Sequence, residues 1–495
     1  MDSQLESCPS IPAITHGNRR YHYTLTGSAL TNNTGLSCVG SGAVTINNDI
    51  SGSGSLSKSG SGKTTLNEAN TYTGGTTLSD GILRFYNAGS LGTGDVNISG
   101  GVLQGANNIT VTNNITMTGG NIYVNVPRTV TLTGILNMNA DGVGVYSSSG
   151  NRYLQLAGVV NGTATTMTVG RGWLRIMSAA TWNYTGKMNL YRSGPGDSNL
   201  EISDGRNLPN DLVMARGLNN PKIIALIAGS TSGEYSGDID TGPEDADGMF
   251  DIKADAGETI TVSGIISDDG DGTGVDKTGD GTVILTGTST YDDRTIVDAG
   301  TLLINGDNSG AVGTVTVDAT TNDVATLGGN GTVGGVTEIY GAHSPGSDSF
   351  GLQTFSGNLN YNTNADVNVS PASVIWQLGA NSAANRGTDF DGIDVGGDLD
   401  FDSGATLELV FDHAGSTVDW SDPFWGGDRQ WLIWDVAGTT TGFNELSLTI
   451  IDWADAQGDF FDTVYPEQTF TITQSGNGIY LNYDAPPLGT VISIN

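Results

Sequence analysis

Basic side chains are scarce in this sequence of 495 residues. Nineteen Lys and Arg stand against 53 Asp and Glu, giving a formal charge of −34. Nucleic acid and anionic lipid repel such a polyanion, so neither is expected as a partner. Charged residues as a whole make up only 15% of the chain, which is low for a soluble protein. Cysteine is nearly absent, with Cys8 and Cys38 only, and no CxxC or metal-like spacing. Two readings of that pair stand: a disulfide tying down the N-terminal arm of an exported chain, or two free thiols. No apolar run is long enough to span a membrane. Residues 1–10 have neither the basic start nor the apolar stretch of a signal peptide, so any leader is expected to have been removed already. Helix signals are few, and the Ala, Glu, Lys, Leu and Arg excess of a coiled coil is missing.

Glycine is present in excess, with 74 residues, but at irregular spacing, which excludes collagen. Between the glycines run short alternations of apolar and polar residues, such as Val96-Asn97-Ile98, Ile109-Thr110-Val111, Val130-Thr131-Leu132, Val315-Thr316-Val317 and Leu407-Glu408-Leu409. β-branched residues or Leu alternating with Thr or Asn, and bounded by Gly, Asn, Asp and Ser, predict short strands between tight turns. The pattern persists for hundreds of residues without a break. A β-solenoid accounts for that better than a sandwich or a propeller.

The acidity is not shared evenly. Residues 1–140 are neutral, 141–222 carry +3, and 223–495 carry −37. An asymmetry of this kind calls for a physical reason.

An internal repeat supports the solenoid. Lys58 to Phe85 aligns without gaps on Lys277 to Ile304 at a constant offset of 219. Both copies keep K-x-G-x-G-x-x-x-L, then Thr71-Tyr72 or Thr290-Tyr291, then Thr76 or Thr295, then G-x-L at Gly81 and Leu83 or Gly300 and Leu302. The glycines are expected at corners with positive φ, the leucines in a narrow core and the Thr-Tyr pair packed at a corner. These residues resemble the autotransporter-associated β-strand repeat of bacterial passenger domains and other large exported surface proteins. The second copy departs from the pattern, with Asp292-Asp293-Arg294 in place of T-G-G. Further on, Leu327 to Val336, His343-Ser344-Pro345-Gly346 and Asp391 to Leu399 are similar to segments that follow such repeats. The resemblance implies an all-β fold, a right-handed parallel β-helix with a β-rich C-terminal capping region. It also implies export to the cell surface or beyond. The expected organisation is an N-terminal arm and cap over 1–48, a solenoid over 49–345 with repeats at 50–105 and 264–305, an aromatic C-terminal region over 346–485 and a terminal tail over 486–495. No transmembrane barrel pattern of the autotransporter kind is legible near the end of the sequence.

Motifs for chemistry are thin. Gly329-Asn330-Gly331-Thr332-Val333-Gly334 matches G-x-G-x-x-G, but a strand is expected after it rather than a helix, so it is read as a solenoid corner. No G-x-S-x-G or H-E-x-x-H occurs, and the expectation is that the chain is not an enzyme. A polysaccharide-degrading β-helix enzyme is the least favoured reading, since the acidic part holds few candidate bases. Carboxylates are plentiful. Asp269, Asp271, Thr273 and Asp280 fall at calcium-loop spacing, and calcium is the one cofactor considered. The competing reading is a solvated acidic loop.

Six of the eight Trp lie after residue 370. Trp420 and Trp425, close to carboxylates, read either as a sugar-binding platform or as bulk closing the open end of the solenoid. The tail residues Val491, Ile492 and Ile494 form an apolar alternating strand after Pro486-Pro487, suited either to pair with a neighbouring chain or to fold back. The function expected first is a structural one, a subunit of a surface filament, sheath or layer assembling head-to-tail with copies of itself. The alternative is an adhesin stalk displaying a glycan- or cell-binding C-terminal region.

Overall fold

The short alternating runs form strands, and each strand finds its partner one coil away. In the computed structural model, Ile46 of strand Ala43–Ile46 sits beside Leu66, Leu66 beside Phe85, and Phe85 beside Gly105, all in parallel register. A second ladder runs Leu36, Leu56, Thr76, Val96, Ile115 and Leu136, again one residue per coil. Alternation sends these residues inward and their Thr and Asn neighbours outward. The inward side chains are almost wholly buried, as Leu56, Leu78, Val96 and Met117 at 0% exposure show. Each buried aliphatic side chain contributes about 1.5–3 kcal/mol, and the coils satisfy one another's backbone hydrogen bonds.

The structure describes residues 3–6, 14–15, 22–125, 127–147, 152–170, 172–191, 198–202, 205–215, 224–228, 232–242, 249–268, 273–318, 324–346, 349–363, 371–402, 404–411, 415–452 and 454–486. They fall into two units, Met1–Met249 and Phe250–Asn495. Each is built of parallel stacked coils, so the fold is the expected all-β solenoid.

In the first unit the coils are short, and side chains cap their corners. Asn113 donates to Gly92 O and Gly94 O at 3.0 and 2.8 Å, and Asn210 does the same to Tyr184 O and Gly186 O at 2.9 and 2.8 Å. Such side-chain amides satisfy corner carbonyls that have no strand partner.

In the second unit the parallel ladder runs from Thr282–Leu285 through Thr301–Ile304, Thr326–Gly329, Ala342–Pro345, Ser373–Gln377 and Thr406–Val410 to Ser447–Asp452. Parallel stacking therefore continues well past residue 345. The later coils carry insertions, so that Phe355 pairs with Val395 and Val395 with Val436. Closure comes from a change of direction. Strand Arg429–Val436 pairs in parallel with Gly392–Val395 on one side and antiparallel with Gly478–Tyr483 on the other, and Phe470–Ser475 completes the hairpin.

Candidate functional site

The two repeat copies show what their shared residues are for. Lys58 and Lys277 point inward and are 2% and 0% exposed. Lys58 Nζ donates to Ser59 O, Gly60 O and Asp80 O at 3.2, 2.5 and 3.0 Å. Lys277 Nζ donates to Thr278 O, Gly279 O and Ala299 O at 3.2, 2.5 and 2.7 Å. In each copy two acceptors lie in the lysine's own turn and the third lies in the next coil. The ammonium thus joins two coils. Burial lowers the pKa of Lys277 to about 8, which still leaves it mostly charged at neutral pH.

The first glycine of the motif, Gly60 or Gly279, has φ of 78° or 75°. The second, Gly62 or Gly281, lies where a Cβ would run into backbone carbonyls of the preceding coil. The Tyr hydroxyls of Tyr72 and Tyr291 lie 2.6 Å from the Thr76 and Thr295 hydroxyls, with both rings buried. The repeat is therefore a coil-stacking device, and the Gly329 to Gly334 run, expected as a corner, is in part strand: Gly329 ends strand Thr326–Gly329, Thr332–Val333 is a short strand of its own, and strand Thr337–Ile339 rather than a helix follows.

The segments after the second repeat are equally structural. His343 is fully buried, with Nδ1 2.7 Å from the Tyr361 hydroxyl and Nε2 2.8 Å from Gln353 Oε1. Burial pushes its pKa down to about 4, so the ring is neutral. Asp391 is also fully buried and accepts from the Gly351 and Gln377 N–H groups, both at 2.9 Å. Burial holds its carboxyl well above the usual carboxylate range.

Asp269 and Asp271 of the calcium reading lie outside the described residues. Thr273 is buried and Asp280 is exposed. No cluster of metal-ligating side chains occurs among the described residues. A different set of carboxylates does gather. Asp251, Asp276, Asp298 and Asp318 are close enough to perturb their neighbours along the stack. Burial first, and then the charges of Asp298 and Asp251, raise Asp276 to about 7, and burial raises Asp251 to about 6. Thr278 Oγ1 donates to Asp251 at 2.6 Å, while Asp276 Oδ1 is buried with no hydrogen-bond partner among the described residues.

Trp420 and Trp425 are both at 0% exposure. Their ring centroids are 4.6 Å apart, and Phe411, Phe461, Trp431, Phe470 and Tyr483 pack around them. The indoles form the core of the closing region and present no ring face to solvent. Cys38 is a buried free thiol, and Cys8 lies outside the described residues. Val491, Ile492 and Ile494 lie outside them as well.

A surface feature that the sequence did not announce lies on the first unit. Ile82, Val102, Gln104, Asn121, Tyr123 and Tyr146 line a shallow groove of about 310 Å³. They come from four successive coils. Arg84 pairs in register with Gln104, Gln104 with Tyr123, and Tyr123 with Tyr146. Arg84 Nε donates to Gln104 Oε1 at 2.6 Å. The Tyr146 ring occupies the space where side chains on Gly144 and Gly170 would stand. Register partners on successive coils are 19 to 23 positions apart in sequence, so only the coil register brings them together.

Comparison with known proteins agrees with the resemblance. Residues 56–85 and 275–304 match the passenger-associated-transport repeat. The chain is also similar to the adhesin BmaC autotransporter of Brucella suis biovar 1 (strain 1330), with 43% identity over 96 residues. That stretch is 19% of this chain and 2% of the adhesin's length. No helix among the described residues is long and apolar enough to cross a membrane. The chain thus carries two passenger-associated-transport repeats, each folded as consecutive coils of a parallel β-solenoid.

Proposed function

We infer that this chain is an exported, adhesin-like passenger of a bacterial cell surface, in which stacked solenoid coils are a scaffold for binding surfaces. The observation that carries the reading is the pair of passenger repeats built into one kind of stacked coil, together with the similarity to an autotransporter adhesin. A stacked coil presents its outward side chains in fixed rows, a suitable platform for contact over a broad face. Beads coated with the purified chain should be retained on cell monolayers or on bacterial cells. Retention no greater than that of beads coated with an unrelated acidic β-solenoid would count against the reading.

Head-to-tail self-assembly is a second reading: the division of charge between +3 over 141–222 and −37 over 223–495 makes the parts of the chain unlike, and contacts between copies would form once salt screens the overall repulsion. Deleting Val491 to Asn495 should then weaken association. A deletion without effect removes the tail from that reading.

A further inference from the structure

We propose that the groove lined by Tyr123 and Tyr146 binds a neutral oligosaccharide. The proposal deepens the adhesin reading by naming a ligand class, and its chemistry stands on the groove itself.

A pyranose ring offers two kinds of surface, an apolar face of C–H groups and a rim of hydroxyls. The groove offers the complement of both. Two half-buried phenol rings sit in register on neighbouring coils, with Ile82 and Val102 beside them. Neighbouring strands are spaced by about 4.8 Å, close to the length of one sugar residue in an extended chain, so consecutive sugars meet consecutive rings. Two carboxamides, Gln104 and Asn121, supply planar donor and acceptor groups for hydroxyls. Arg84 holds the Gln104 amide by its oxygen, which leaves the N–H₂ end as a donor.

Tyr146 is pre-organised as well. Its ring lies against Gly144 and Gly170, where any Cβ would displace it. Holding an aromatic ring in place before binding removes an entropic cost of recognition. No carboxylate or ammonium lines the groove. The one cation beside the lining, Arg84, is turned to Gln104 and to the Tyr86 hydroxyl, and a basic sugar would find no anion among the lining residues, which favours a neutral chain.

The test is calorimetric titration of the full chain with cellohexaose, chitohexaose and mannohexaose, and with hexagalacturonate as an acidic control. At least one neutral hexaose should bind. Tyr123→Ala and Tyr146→Ala should each weaken that binding by about tenfold, while Tyr146→Phe, which keeps the ring, should stay close to wild type. Circular dichroism and an unchanged melting temperature show that each variant is folded. The assignment is overturned by any of three results: no neutral hexaose binds at millimolar concentration, the folded Ala variants bind as wild type does, or hexagalacturonate binds more tightly. Bead retention with the Tyr123→Ala, Tyr146→Ala double variant separates the two proposals. Retention equal to wild type overturns the groove as the contact surface and leaves the adhesin reading intact. Hexaose binding by a wild-type chain that cells do not retain does the reverse.

Discussion

An ammonium removed from water is costly unless donors and acceptors are matched, and this chain does it at the same repeat position twice. Lys58 and Lys277 each find three carbonyl acceptors, one of them in the next coil. Lys277→Met tests whether that match stabilises the stack. The variant leaves three carbonyls without their donor, at about 1–3 kcal/mol for each that water cannot reach. It also removes the desolvation of a charge, which offsets part of that loss. We expect a net destabilisation of about 2 kcal/mol, seen as a lower midpoint in urea with an unchanged slope. A variant as stable as wild type would show that the lysine is tolerated rather than required.

The spacing K-x-G-x-G was legible as a turn signature, and Leu66, Leu83, Leu285 and Leu302 were legible as core. The inward turn of the lysine was not, because its third acceptor is 22 residues away and belongs to another coil. The pairing of Tyr123 with Tyr146 is not legible in the sequence for the same reason. They are ordinary outward tyrosines in sequence and become neighbours only through register.

At the scale of strands and turns, the aromatic cluster and the carboxylate row make opposite demands on stability. Trp425 lies at the centre of the closing region, with its Nε1 donating to Asn381 Oδ1 at 3.0 Å. Trp425→Ala removes a fully buried indole and should cost about 3–5 kcal/mol. The loss should appear as early melting in the near-ultraviolet dichroism of the Trp-rich region, and a melting curve that matches wild type would contradict a core role. The density of Trp after residue 370 was legible. Whether it faced inward or outward was not, since alternation is broken by the insertions that bring Phe411, Phe461 and Phe470 around it.

The carboxylate row acts in the other direction. Asp276 has its folded pKa raised to about 7, above its unfolded value, so its contribution is neutral in acid and becomes unfavourable as pH rises toward 7. Asp251 at about 6 behaves likewise, and Asp298 is raised too. Lys277 and Arg294 oppose the rise at Asp276 without cancelling it. Asp276→Asn should therefore raise the melting temperature at pH 8 and leave it nearly unchanged at pH 4. A gain of equal size at both values would mean that packing rather than charge is responsible. His343 has the opposite sign. Its folded pKa is about 4, so stability present above the unfolded value is lost as pH falls toward 4. Asp276→Asn removes the Asp276 share of the first trend and leaves the His343 trend in place, which should give a steeper loss of stability on acidification than in wild type.

For the molecule as a whole, the net charge of −34 decides under which conditions copies could meet. A segment of +3 cannot outweigh −37 at long range, so copies repel one another when ions are few. Screening changes the balance. The Debye length falls from about 30 Å at 0.01 M salt to about 8 Å at 0.15 M, which removes the long-range repulsion and leaves short-range contacts to act. Divalent cations go further, because they bind between carboxylates instead of only screening them. Head-to-tail association therefore predicts a salt dependence opposite to that of simple attraction between unlike ends. The chain should sediment as a monomer at low salt and as larger species at physiological salt with millimolar calcium, and a chelator should reverse the calcium-dependent part. Association strongest at low salt would show that unlike ends drive it after all. A monomer under every condition would leave the scaffold to act as a single chain, with its outward rows as surfaces for contact.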